Sequence, residues 1–286
     1  MFVHLILFSA LSQAADPYGK GEAVDAYGKS GANHPVALGT EKNKDLTIGA
    51  PVTVGGVTVY PVIDRTAPKQ SATTTVSLAE AMTTGQLRVR EAGSFSTLQF
   101  ENVGKAPVAI LAGEVIRGGR QDRVITEDLE IPPTRTPIVA SVHCVERSRW
   151  SDHAATFAYG GRAEYALRSV LEKDNQEATW ETVAALNSAR SASPTGAYVS
   201  VGGDTWMTYR QQLHAQMADQ QQVVGAIVAQ GDQLVFAEMF GTPSRANAGR
   251  AAALDGYARD AVVMDANAEP PPNVEAAAAY LEQMLQ

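Results

Sequence analysis

Apolar residues alternate with polar ones at the start of the ordered chain, near Leu46. Val52, Val54, Val57 and Val59 flank Gly55-Gly56, a period of two broken by a turn pair, which predicts a β-hairpin. Ser77 to Gly85 predicts a short helix, with Ser77 as N-cap, Glu80 as its capping-box partner and Gly85 as its stop. Strands are predicted over Leu87–Glu91 and Ser96–Asn102, then over Pro107–Ile116, Arg123–Ile131 and Pro137–Glu146. The period then becomes helical. Ala163, Ala166, Leu167, Val170 and Leu171 fall on one stripe, Trp180, Val183, Ala184 and Asn187 on another, and Trp206, Leu213 and Met217 on a third. Two strands return around a turn at Gly231-Asp232, followed by an Ala-rich helix over Ala248–Arg259 and a short strand over Ala261–Met264. Glu269 to Pro272 is a stiff break, and Asn273–Leu285 predicts a final helix. Strands first, helices in the middle and strands again do not alternate as a doubly wound sheet requires. The pattern predicts an α+β domain with a mainly antiparallel or mixed sheet in the N-terminal half, and helices packed from the middle and C-terminal regions.

The first 45 residues behave differently. An apolar run from Leu5 to Leu11 precedes small residues, so residues 1–14 read as a signal peptide and the protein as exported, periplasmic or extracellular. Residues 15–45 are rich in Gly, Lys, Asp and Ala, with two similar pieces starting at Asp16 and Asp25, and read as a flexible tether. Residues 46–286 form one domain in this reading. The net charge of -8 argues against a nucleic-acid surface, which is normally basic. No run approaches the ~20 apolar residues of a membrane-spanning helix, so no integral membrane segment is expected. A single cysteine, Cys144, excludes an internal disulfide.

Candidate chemistry concentrates between Gly113 and Trp150. Strand alternation puts Glu114 on one face with Val108, Ile110 and Ala112, puts Gln121 and Arg123 with Ile125, and puts Glu146 with Cys144 and Val142. Three strand ends thus bring Glu114, Gln121, Arg123 and Glu146 toward one place, where charge is costly unless paired or bound to a ligand. Arg117-Gly118-Gly119-Arg120 adds a glycine turn between guanidiniums, a pattern suited to an anion. Glu114 and Glu146 are the candidate general bases; Arg117, Gly118, Gly119, Arg120, Gln121, Arg123, Arg149 and Trp150 are the candidate ligand-binding residues. His143 points away from Cys144, which removes a Cys–His nucleophile pair and leaves Cys144 as a buried small hydrophobe. His143, Cys144, Glu146, Asp152 and His153 are close in sequence but match no zinc spacing, so no metal site is predicted, and no cofactor is indicated. His34 and His214 read as isolated histidines.

Two stretches, GEVIRGGRQDR from Gly113 and VHCVERSRW from Val142, resemble the ARG and rhodanese-phosphatase-superfamily-associated domain, named for association with ADP-ribosylglycohydrolases and rhodanese-phosphatases. The resemblance extends over about residues 46–262. Asp122 and Ser148 stand where the family pattern has Asn and Gly. The resemblance implies a setting of ADP-ribose, NAD-derived or phosphoester chemistry, by association. Two functions follow as expectations. One is a site binding, and hydrolysing, a phosphate-bearing small molecule such as a nucleotide or ADP-ribose derivative. The other is a non-catalytic binding module of the cell envelope whose charged cluster is structural. A catalytic cluster should face a solvent-reachable cleft, and a structural one should be closed and fully paired. Neither reading identifies a protein partner.

Overall fold

The computed structural model describes residues 7–8, 36–37, 45–68, 74–149, 154–171, 175–190, 193–264 and 269–286. The signal-peptide and tether predictions, apart from two short strands, lie outside these residues, as do Trp150, Asp152, His34 and His153.

Sixteen strands and six helices are described. The first strands are β1 (Leu7–Phe8), β2 (Val36–Ala37), β3 (Leu46–Ile48), β4 (Val52–Val54), β5 (Val57–Asp64) and β6 (Val76–Ser77), followed by helix α1 (Leu78–Thr83). Next come β7 (Leu87–Glu91), β8 (Thr97–Asn102), β9 (Val108–Ile110), β10 (Glu114–Gly119), β11 (Arg123–Ile125), β12 (Leu129–Ile131), β13 (Ile138–Cys144) and β14 (Ala154–Arg162). Helices α2 (Tyr165–Arg168), α3 (Gln176–Ser188) and α4 (Gly203–Met217) lead to β15 (Val223–Gln230) and β16 (Gln233–Met239), and α5 (Pro243–Val263) and α6 (Val274–Met284) end the chain. The fold is α+β, as the patterning predicts.

The strands form three sheets among the described residues. In the first, β1-β16-β15-β5-β3-β2 are neighbours in that order and β4 pairs with β5. Strand β5 is apolar and buried on both faces because helices cover both. Val57 and Val59 pack with α4 and α5 through Leu213, Met217, Leu254 and Tyr257. Tyr60 and Val62 pack with α6 through Ala277, Ala278 and Leu281. The predicted hairpin closes with Val54 opposite Val57.

The second sheet runs β14-β10-β11-β13-β8-β7 and positions the candidate site. One face, with Ile116, Ile125 and Val142, packs on α1; the other, with Val115, Val124 and Val145, packs on α2 and α3. Helix α1 carries the expected cap, Ser77 Oγ accepting from the Glu80 N–H at 3.1 Å.

Three predictions need correction. The strand over Pro107–Ile116 breaks at Leu111–Gly113, where Gly113 takes φ +86 and the chain crosses from the small β12-β9-β6 sheet into the second sheet. The strand over Arg123–Ile131 breaks likewise, and Asp128 Oδ1 at the break accepts from the Ala112 N–H at 2.6 Å, so the two breaks hold each other. The strand over Ala261–Met264 is instead the end of α5, which runs to Val263; Ala261 continues the apolar stripe of that helix against the first sheet.

Candidate functional site

The register of the second sheet fixes where the candidate residues lie. Arg123 on β11 sits opposite Ile116 on β10 and opposite Cys144 on β13, so these three share a face. Glu114 begins β10 opposite Arg162 of β14, whereas Glu146 follows the end of β13 and bridges to Ala197. The two carboxylates therefore belong to two separate hydrogen-bonded groups.

Glu146, Arg149 and Asp122 form the first group. Arg149 Nη2 lies 2.5 Å from Glu146 Oε2 and 3.0 Å from Asp122 Oδ1, and Nη1 donates to the Gly119 carbonyl at 2.6 Å. The Asp122 N–H donates to Glu146 Oε2 at 3.1 Å. Burial pushes the Glu146 carboxyl up, but hydrogen bonds from Arg149, Thr195 and Asp122 outweigh it and hold it below the usual range. Asp122, buried beside Glu146, is pushed up. Arg149 is raised chiefly by its bond to Glu146. This group is closed and paired.

Gly118 and Gly119 belong to that construction. They end strand β10 rather than forming an open turn, and both are buried. Gly118 donates its N–H to Asp122 Oδ1 at 2.8 Å and, at φ +108, lies where a Cβ would collide with the Thr156 carbonyl of β14. Arg117 and Arg120 on either side are exposed.

Glu114 belongs to a larger buried network. Its Oε2 accepts from the Leu111 N–H at 2.7 Å, which ties the β9–β10 corner. Burial raises its carboxyl to about 7, against the Leu111 hydrogen bond, the Arg162 charge and a hydrogen bond with Tyr159. Arg162 itself is committed bidentately to Glu238 of the first sheet, at 3.1 and 2.6 Å, and Tyr257 donates to the same carboxylate. Burial opposes ionisation of Glu238, but Arg162 wins and holds it low. Further in, Arg168 meets Asp260 at 3.2 Å, Arg190 meets Glu164 at 2.6 Å, and Arg259 donates to the Arg162 carbonyl at 3.0 Å. Patterning missed Arg162, Glu164, Arg168, Glu238, Arg259 and Asp260. The available signal was a charge inside an apolar period, as with Glu238 in LVFAEMF and Arg259 in the Ala-rich helix.

Arg123 and Gln121 differ from both groups. Each is 0% exposed. The Arg123 Nε–H donates to the Phe95 carbonyl at 3.0 Å. Its Nη1 and Nη2, and both ends of the Gln121 amide, are buried without a hydrogen-bond partner. Glu91 Oε2 approaches Arg123 Nη2 only to 3.8 Å, outside hydrogen-bond range. More than nine in ten buried polar groups are satisfied in folded proteins, so four such atoms on two residues of one short segment set Gln121 and Arg123 apart from the paired groups above. Cys144, Arg123's strand partner, is buried and its thiol is pushed up by burial.

Two clefts, of about 430 Å³ beside Arg147 and Trp180 and about 980 Å³ between α2, α3 and Val263, include none of Glu114, Gln121, Arg123 or Glu146. His143 Nδ1 meets Thr179 Oγ1 at 2.7 Å and His214 Nε2 meets Asp255 at 3.1 Å. Among the described residues no three His, Cys, Asp or Glu side chains are grouped to hold a metal ion, and no helix is long and apolar enough to cross a membrane.

Neither the curated proteins nor the solved structures contain a match to this sequence. A family model does match, the ARG and Rhodanese-Phosphatase-superfamily-associated Protein domain (ARPP-1), over residues 45–286. That span includes every sheet residue of the site just described, and the chain belongs to the ARPP-1 domain family.

Proposed function

We propose that this domain binds a phosphate-bearing small molecule and that Arg123 and Gln121 grip its phosphate. The observation that carries the reading is the fully buried Arg123 guanidinium whose two Nη groups have no hydrogen-bond partner, together with the equally buried Gln121 amide two residues earlier, which also lacks one. Leaving one buried polar group unsatisfied costs about 1–3 kcal/mol, more when it is charged. A phosphate repays that cost well, because its oxygens match the fork of a guanidinium bidentately. Gln121 adds two donors and one acceptor. The family's association with ADP-ribose and phosphoester chemistry supports an ADP-ribose or nucleotide derivative as the ligand class.

Binding is favoured over hydrolysis. Glu146 is held ionised by Arg149 and the Asp122 N–H, and Glu114 is occupied by Leu111 and Tyr159, so both candidate bases already have partners. For the Glu114 network, closed and paired, a scaffold role is the better reading.

Arg123→Met tests the proposal. Wild type should gain thermal stability from ADP-ribose, ADP or inorganic phosphate, by about 2.7 kcal/mol at a hundred times Kd. The variant should melt within a few degrees of wild type, because methionine removes a buried guanidinium whose Nη groups make no hydrogen bond and keeps most of the volume, and should show no ligand shift. A variant that still responds, or a wild type stabilised by none of the three, overturns the reading.

A further inference from the structure

We infer that Glu91 makes the Arg123 site prefer oxyanions that carry a P–OH, such as inorganic hydrogen phosphate, over oxyanions without a proton, such as sulfate and the diester phosphates of ADP-ribose. The inference rests on Arg123 being the oxyanion ligand. Glu91 ends β7 at the far edge of the second sheet, and its carboxylate is pinned, Oε1 accepting from the Arg120 N–H at 2.8 Å. Gly119 passes so close that a Cβ there would come within 2.5 Å of the same oxygen. The other oxygen, Oε2, points toward Arg123 Nη2 across the 3.8 Å gap.

An anion that accepts from the Nη groups therefore brings one of its own oxygens beside Glu91 Oε2. Two acceptor oxygens with no proton between them repel, and beside the buried Arg123 that repulsion is only partly screened. A P–OH group in that position donates to the carboxylate and replaces the repulsion with a short, charge-assisted hydrogen bond. The acceptor end of the Gln121 amide, also unpartnered, calls for a donor on the ligand too. Both charges reach the Cys144 thiol, Arg123 pulling its pKa down and Glu91 pushing it up, which agrees with the two groups lying near each other. Glu91 is partly exposed while Arg123 is buried.

The test compares potassium phosphate with potassium sulfate at matched ionic strength and pH 7.5, by calorimetry and thermal shift, on wild type, Glu91→Gln and Arg123→Met. Wild type should bind phosphate at least about tenfold more tightly than sulfate, the worth of one unpaired buried hydrogen-bonding group. In Glu91→Gln the amide can donate to sulfate, so the preference should fall below about threefold. Arg123→Met should bind neither. Equal binding of both ions by wild type, or a preference that survives in Glu91→Gln, overturns the role of Glu91 while leaving Arg123 as the ligand. Failure of both ions to bind wild type overturns the oxyanion site and this inference with it.

Discussion

Glu114 and Cys144 lie on one face of the same sheet, and burial acts on both in the same direction. For Glu114 it raises the carboxyl from 4.5 to about 7, so between those pH values the unfolded chain gives up a proton that the folded chain keeps. The folded state then binds more protons, and stability falls as pH rises through the window. Glu114 alone should remove about 3 kcal/mol across it. Asp260, raised by burial to about 6, adds to the same slope. Urea melts of wild type and Glu114→Gln at pH 5 and pH 7.5 should therefore differ in slope, the variant losing less on going up. Equal losses would mean that Glu114 ionises normally. Cys144 is 2% exposed, and thiol reagents should modify it no faster than the protein opens; rapid labelling of the native protein would contradict its burial. At this scale the sequence revealed which residues were unusual but not their partners. Glu114 and Glu146 both stood out as charges on apolar strands, yet their separation depends on the Leu111–Gly113 corner, and Arg162 comes from a strand whose Gly-rich, aromatic sequence carries no clean period.

Elements with local signals were legible. The Gly55-Gly56 hairpin, the capped helix α1 and the β15–β16 pair each carry their own punctuation, and each formed where the pattern placed it. Strand β14 did not announce itself, because Ala-Tyr-Gly-Gly has neither alternation nor branched residues; its place is set by pairing with β10. The Gly118–Gly119 pair predicts an anion loop and instead ends β10, because glycine pairs serve equally well in turns and in close crossings. The two roles predict different variants. At φ +108 and against the Thr156 carbonyl, Gly118→Ala should cost about 3 kcal/mol from strain and collision together, seen as a fall in melting temperature on the order of 10 °C. Arg117→Ala and Arg120→Ala, both exposed, should change it little. A Gly118→Ala protein as stable as wild type would show that the β10–β14 crossing is looser than described.

Across the molecule, the Arg162–Glu238 pair ties the second sheet to the first. A buried pair broken from one side costs about 3–5 kcal/mol, whereas replacing both partners by apolar residues is often near neutral. Arg162→Ala should therefore be severely destabilised, and Arg162→Met with Glu238→Leu should recover much of the loss in urea titrations. Equal stability of the single and double variants would remove the pair from any role in joining the sheets.

The first sheet is also assembled from distant parts of the chain. Val57 to Ile63 on β5 pair with Gln230 to Val223 on β15, and the whole second sheet is encoded between them. A ribosome that has finished β5 must go on for on the order of 10–30 s before β15 emerges. Throughout that time one edge of a Val- and Tyr-rich strand lies open, the kind of edge that pairs with neighbouring chains. Until β15 is made, that edge is the part of the nascent chain most open to pairing with a neighbour. A chain released early should be recovered in the pellet even though its second sheet is complete.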